Sequence, residues 1–203
     1  MAAPQLRSRR WTRASYLIST DSDLIPIPVL SSFFASKGFY WANPLPEPVM
    51  RQTLQNSLCF ALYDINSNSV EAAENILRQR AAVNSEDDPD DTTCNLGSEC
   101  QPTLIGFGRI ITDFVTFAFL TDVWIELSTQ GQGLGSWLIG CVQEVIESMP
   151  HLRRSMLLTS SWEKSVPFYQ NLMHMELMNE PDGKRPAVME MKWKGLVDGW
   201  QGI

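Results

Sequence analysis

An apolar, strand-like segment that runs into a glycine-rich turn and then into an amphipathic helical pattern constrains this chain more than any other feature. The segment spans residues 117–149, and its turn reads Gln130-Gly131-Gln132-Gly133-Leu134-Gly135. The first amides of a helix lack intrahelical partners and the helix dipole adds partial positive charge there, so such a turn can bind an anion. Glycines let the backbone curl around a phosphate without side-chain clashes. The sequence therefore predicts a phosphate-binding turn.

The glycine spacing distinguishes three kinds of phosphate-binding turn. A P-loop needs lysine and then serine or threonine after its last glycine, and no lysine follows Gly135. A dinucleotide-binding turn needs G-x-G-x-x-G near the start of a βαβ unit, but these glycines are spaced G-x-G-x-G late in the chain. The pattern Q/R-x-x-G-x-G/A does match, at Gln130, Gly133 and Gly135. This turn resembles the coenzyme A motif of the GNAT superfamily of acyltransferases.

The resemblance extends beyond the turn, being good over residues 103–178 and looser over residues 14–63. Residues 117–125 look like the family's fourth strand and residues 153–159 like its fifth. The order of strand and helix patterns independently indicates an α+β or mixed α/β domain around one sheet. The resemblance implies the GNAT version of that fold: a central, mostly antiparallel sheet flanked by helices and splayed between the fourth and fifth strands.

By resemblance, acetyl-coenzyme A is the acyl donor and no metal takes part. Backbone amides of the turn would hold its pyrophosphate, and the strand before the turn would pair with its pantetheine arm. The implied cofactor-binding residues are Val123, Trp124, Ile125, Gln130, Gly131, Gln132, Gly133, Leu134, Gly135 and Ser136. Tyr169 lies where the family often places a tyrosine, and it is either the general acid for the departing thiolate or a core residue.

The acceptor side of the site is less determined. Asp122 lies in an apolar strand where a charge is costly unless it is used or paired, so it is either the catalytic base or a structural hydrogen-bond acceptor. Glu126 is the second candidate base. Tyr40 and Trp41 fall in the segment that walls the acceptor site in GNAT proteins, and with Phe117 they are candidate substrate-binding residues or core residues.

The length and net charge of the chain limit the classes of partner and the number of domains that it can have. The chain has 203 residues and a net charge of -7, which disfavours a nucleic-acid partner, and no apolar run approaches the roughly 20 residues of a membrane-spanning helix. We expect a flexible basic tail over residues 1–13 and a single GNAT-like domain over residues 14–203, with a partly disordered acidic insertion at residues 64–102. Cys94 and Cys100 lie in that insertion and fit either a disulfide or free thiols in a reducing compartment, and the second interpretation, which we favour, predicts a cytoplasmic location.

The resemblance thus implies an N-acetyltransferase, and we expect it to act on the primary amine of a small molecule by direct attack in a ternary complex. One alternative is a protein acetyltransferase for lysine or N-termini. Another is a non-catalytic module that binds coenzyme A. The second alternative stays open because Leu127 stands where the family usually has proline, and Met173-His174 where it has Gly-Phe.

Overall fold

A computed structural model describes residues 3–36, 38–39, 42–66, 68–83, 101–179 and 187–192. The strands are β1 (Arg10–Arg13), β2 (Tyr16–Ser19), β3 (Leu58–Asp64), β4 (Thr103–Thr112), β5 (Phe117–Ile125), β6 (Arg154–Thr159), β7 (Glu176–Leu177) and β8 (Ala187–Lys192). The helices are α1 (Ala3–Leu6), α2 (Ile27–Ala35), α3 (Glu47–Gln55), α4 (Val70–Val83), α5 (Leu134–Glu147) and α6 (Ser165–Met173). This mixture confirms the predicted α+β class.

These strands form one sheet in the order β1-β2-β3-β4-β5-β6-β8-β7. Neighbouring strands are antiparallel except β5 and β6, which are parallel. The β5–β6 pairing runs from Phe117 opposite Arg154 to Leu120 opposite Leu157 and then stops, although both strands continue. The sheet is therefore splayed where the resemblance implied, between the family's fourth and fifth strands.

Helices cover both faces of the sheet because the side chains of β3 alternate between two apolar clusters. Phe60 and Leu62 belong to the cluster that includes α5 and α6. Cys59 and Ala61 belong to the cluster that includes residues of α2, α3 and α4. A strand buried on both faces reads as a continuous apolar run, which is why β3 was predictable from its sequence.

The N-terminal segment differs from the flexible basic tail that we expected. Its described part forms α1 and β1, and the Leu6 side chain is fully buried. β1 pairs with β2 as a hairpin, and the ring of Trp11 stacks on Phe60 at 6.1 Å between centroids. The arginines that suggested a tail are instead held by contacts: Arg9 pairs with Glu144 of α5, and Arg10 with Glu74 of α4.

Several expectations fall on residues outside the described ranges. These are the acidic residues 84–100 with Cys94 and Cys100, and the aromatic pair Tyr40 and Trp41. Within the described ranges, no helix combines the length and apolar character that crossing a bilayer requires.

Candidate functional site

The glycine-rich turn joins the short helical turn Leu127–Thr129 to α5. Gly131 and Gly133 have positive φ angles of 82° and 73°, which glycine adopts without strain. A β-carbon built on either glycine would meet no atom within 4 Å, so the turn faces open space. Among the described residues, the amides of residues 131–136 have no hydrogen-bond acceptor, and the helix dipole makes this end of α5 attractive to an anion. The predicted phosphate-binding turn therefore fits a phosphate group.

Gln130 differs from the other residues of the predicted phosphate-binding turn because its N–H groups already have acceptors within the protein. Its backbone N–H donates to the carbonyl of Leu127 at 3.3 Å, and its side-chain amide donates to the carbonyl of Ile125 at 2.9 Å. Gln130 therefore ties the turn to the end of β5, and the amides that remain for a ligand begin at Gly131.

The strand before the turn contains a β-bulge. Thr121 lies opposite Arg109 and Trp124 opposite Phe107, so Asp122 and Val123 together face the single residue between those partners on β4. Asp122 has a φ of 54°, a left-handed conformation that aspartate tolerates better than most residues. Beyond Leu120 the β6-facing edge of β5 has no strand partner among the described residues. The backbone of Val123, Trp124 and Ile125 thus lies along an open sheet edge, as a strand-like ligand requires.

Asp122 is paired rather than free. Its side chain is only 6% exposed, and Oδ2 lies 2.6 Å from Nη2 and 2.7 Å from Nε of Arg109. Arg109 also donates from Nη1 to the hydroxyl oxygen of Ser57 at 3.0 Å. The second carboxylate oxygen, Oδ1, accepts a longer bond of 3.2 Å from the Thr121 hydroxyl. The charge in this apolar strand is thus paired with Arg109, and Oδ1 is the less occupied of the two carboxylate oxygens.

Asp122 and Arg109 line a cavity of about 340 Å³ between the sheet and helices α2 and α3. Its walls are mostly apolar. They are formed by Phe34, Ala42, Asn43, Leu45, Met50, Thr53, Leu54 and Phe107. Apolar walls with a few polar groups at one point, in a volume of roughly 300 to 1,000 Å³, are typical of small-molecule sites.

Tyr169 lies on α6, in the cluster that packs against the opposite face of the sheet from this cavity. The residue is 8% exposed, and burial raises the pKa of its hydroxyl to about 12. The hydroxyl is therefore protonated throughout the physiological pH range, as a proton donor to a thiolate must be. The cavity and Tyr169 therefore lie on opposite sides of the sheet.

Two other sequence candidates lie apart from the cavity. Phe117 is at the start of β5, about 16 Å along the strand from Asp122 by the usual rise per residue, and it does not line the cavity. Glu126 caps the turn after β5, where its carboxylate accepts a bond from the N–H of Leu127 at 3.1 Å. Phe117 therefore lies outside this cavity, and its substrate-binding role stays a prediction.

Sequence reasoning missed Arg109, although a signal was present. Arg109 is the one charged residue of the apolar strand β4, and the cost of an unpaired buried charge applies to it as it does to Asp122. Two opposite charges on successive apolar strands indicate an ion pair. Among the described residues, no group of three or more histidine, cysteine, aspartate or glutamate side chains could hold a metal ion.

Comparison with known proteins agrees with this geometry. The family model described as the acetyltransferase (GNAT) family matches residues 59–175, more than half of the chain. A provisionally named acetyltransferase of Gibberella zeae is 31% identical over 185 residues, which cover 91% of this chain and 93% of that protein.

Solved structures share the fold at low sequence identity. A GNAT-family acetyltransferase of Streptococcus pneumoniae superposes with a TM-score of 0.55 at 13% identity, over 88% of this chain and 99% of that one. A GNAT-family acetyltransferase of Elizabethkingia anophelis with acetyl-CoA bound gives 0.50 at 9% identity, over 89% and 100% of the two chains. NAA60 of Arabidopsis thaliana, solved with a bisubstrate analogue, gives 0.50 at 12% identity, over 86% and 96%. The chain belongs to the GNAT family of acetyltransferases, which use acetyl-CoA.

Proposed function

We propose that this acetyltransferase transfers the acetyl group of acetyl-CoA to the primary amine of a small molecule that occupies the cavity at Asp122. The observation that carries the proposal is the cavity itself, a compartment of about 340 Å³ with the Arg109–Asp122 pair set among apolar side chains. That volume suits an amine with a compact apolar or aromatic body. The predicted roles of Tyr40 and Trp41 remain part of the proposal, since Ala42 and Asn43, which follow them, line the cavity.

In this proposal the two substrates bind on opposite faces of the sheet. The glycine turn and α5 lie on one face, and the acceptor cavity lies on the other, with the open edge of β5 between them. Amides at residues 131–136 bind the pyrophosphate, and the edge after the bulge holds the pantetheine arm. Acyl donor and acceptor amine can then meet at the splay, which supports direct attack in a ternary complex and gains from the fixed orientation of both reactants.

Asp122 and Tyr169 carry out the two proton transfers of the proposed reaction. Arg109 fixes Oδ2 of Asp122 by two bonds, which leaves Oδ1 to bind the acceptor nitrogen and take its proton. Tyr169, protonated because its pKa is about 12, donates to the departing thiolate. A cytoplasmic location remains a prediction.

The test compares acceptor classes and then blocks the cavity. We expect transfer of labelled acetyl from acetyl-CoA to members of a small-amine panel and not to a peptide library, read by mass spectrometry. Met50→Trp fills the cavity from α3 and should raise the KM for the amine at least tenfold, with unchanged affinity for acetyl-CoA. A matched control is Val49→Trp, because Val49 is a neighbour on α3 that is 45% exposed and does not line the cavity. Label found only on peptides, or equal KM values in the two variants, would contradict the proposal.

A further inference from the structure

The glycine turn is held from the side by the N-terminal hairpin of β1 and β2. Nη2 of Arg13 donates to the backbone carbonyl of Gln132 at 3.3 Å, and the Arg13 guanidinium lies 4.9 Å from the ring centroid of Trp137. The Tyr16 hydroxyl donates to the side-chain carbonyl of Gln132 at 3.0 Å. Gln132 lies between the two glycines of positive φ. The hairpin therefore brings a guanidinium to the edge of the amides that face open space.

The charges of this hairpin are distributed unequally. Arg9 and Arg10 form ion pairs with Glu144 and Glu74. Arg13 has no carboxylate within ion-pair distance among the residues that the structure describes. The first turn of α5 also contains no acidic residue. An uncompensated cation beside a helix N-terminus attracts an anion, and both contributions have the same sign.

The net negative charge of the chain gives a cation at this position a role in attracting an anionic ligand. The protein has a net charge of -7, so its overall field repels a ligand that carries several phosphate charges. The first position of the coenzyme A motif, where the family has glutamine or arginine, is Gln130 here, and its side chain is bonded to Ile125. A guanidinium has five donors, and it binds phosphate oxygens well because it can present two of them in parallel.

We propose that Arg13 binds a phosphate group of acetyl-CoA, so that the N-terminal hairpin is part of the cofactor site. This inference rests on the proposed function, because it requires acetyl-CoA to bind at residues 131–136. The phosphate is either the pyrophosphate or the 3′-phosphate, and both offer the same anionic oxygens to a guanidinium. Arg13 is a binding residue in this account and takes no part in the chemical step.

The experiment measures binding by calorimetry on the full chain, with acetyl-CoA and with 3′-dephospho-acetyl-CoA. Arg13→Gln should weaken acetyl-CoA binding about five- to tenfold at low ionic strength. The loss should shrink as salt is added, because an exposed charge contact is screened. Arg13→Lys should retain most of the affinity. Arg10→Gln removes the same charge from the same strand, and it should bind within twofold of the unmodified chain because Arg10 pairs with α4 instead of the turn.

The two ligands identify the phosphate. A loss that appears with acetyl-CoA alone assigns Arg13 to the 3′-phosphate, and an equal loss with both ligands assigns it to the pyrophosphate. A loss independent of salt would show that Arg13 only braces the turn and would overturn the proposal. Equal binding by Arg13→Gln and Arg10→Gln at low salt would also overturn it while leaving the proposed function intact. Failure of the unmodified chain to bind acetyl-CoA would overturn both.

Discussion

The ion pair between Arg109 and Asp122 should be worth more to the fold than any exposed pair of this protein. Its two side chains are 16% and 6% exposed, and Oδ2 of Asp122 lies within 2.7 Å of two guanidinium nitrogens. Removing one partner of a buried pair leaves an uncompensated charge and costs about 3 to 5 kcal/mol. We expect Asp122→Asn and Arg109→Gln each to lower the free energy of unfolding by about 3 kcal/mol.

The double variant separates the charge effect from the loss of shape. Two amides in place of two charges can bond to each other, so the double variant should lose less stability than the sum of the single variants, with a coupling energy of at least about 2 kcal/mol. Urea unfolding measures this through the transition midpoint at constant m, and a loss of 3 kcal/mol moves that midpoint by about 1 M or more.

The exposed pair of Glu47 and Arg51 provides the control. Its side chains are 44% and 43% exposed and lie one helical turn apart. Arg51→Gln should therefore cost no more than about 0.5 kcal/mol. Single-variant losses at Arg109 and Asp122 that add within about 0.5 kcal/mol, or that do not exceed the Arg51→Gln loss, would refute the account of a buried, coupled pair.

Two further predictions concern Tyr169 and the packing around Trp124. Tyr169→Phe should lower kcat about 10² to 10³-fold without weakening acetyl-CoA binding. Burial raises the pKa of the Tyr169 hydroxyl to about 12, so deprotonation of this group should not lower the activity of the unmodified enzyme below about pH 11. Steady-state rates measured across pH test both statements, and an unchanged kcat in Tyr169→Phe would exclude the proton-donor role. Gly38→Ala would place a β-carbon 2.5 Å from Cη2 of Trp124 and should lower the free energy of unfolding by about 1 to 3 kcal/mol. A β-carbon at Gly140 in α5 meets nothing within 4 Å, so Gly140→Ala should raise the free energy of unfolding by about 0.5 to 1 kcal/mol. Melting temperatures of the two variants that shift in the same direction would contradict this packing.

The fold was predictable where burial imposes a clear period. The sequence predicts strands at residues 117–125 and 153–159, and the structure has β5 at Phe117–Ile125 and β6 at Arg154–Thr159, because each segment contains a compact apolar run. β1 was not predictable in this way. Its sequence Arg-Trp-Thr-Arg is mostly exposed and has no apolar alternation. Its two arginines, Arg10 and Arg13, bond to residues more than 60 positions away.

In the candidate site too, features set by the local sequence were predictable, and features set by contacts between distant residues were not. The glycine turn depends on local chemistry, since positive φ and free amides follow from residues 131–136 themselves. The cavity depends on contacts between α2, α3, β4 and β5, so its lining could not be inferred from local patterns. The bulge at Asp122 lies between the two cases: a polar residue in an apolar strand indicated a special position, but its register with β4 required the folded sheet.

Thermal unfolding with and without acetyl-CoA, on the unmodified chain and on Gly133→Asp, tests the central claim most directly. At 100 times its Kd the ligand should add about 2.7 kcal/mol of stability, which raises the melting temperature by about 5 to 10 °C. Aspartate at Gly133 has room for its β-carbon and tolerates a φ of 73° at a cost of about 1 to 2 kcal/mol, so this variant should fold while its charge repels the pyrophosphate. The account predicts a shift in the unmodified chain that is lost in the folded variant. An equal shift in both proteins would show that acetyl-CoA binds elsewhere, and no shift in the unmodified chain would contradict the assignment of this turn to acetyl-CoA.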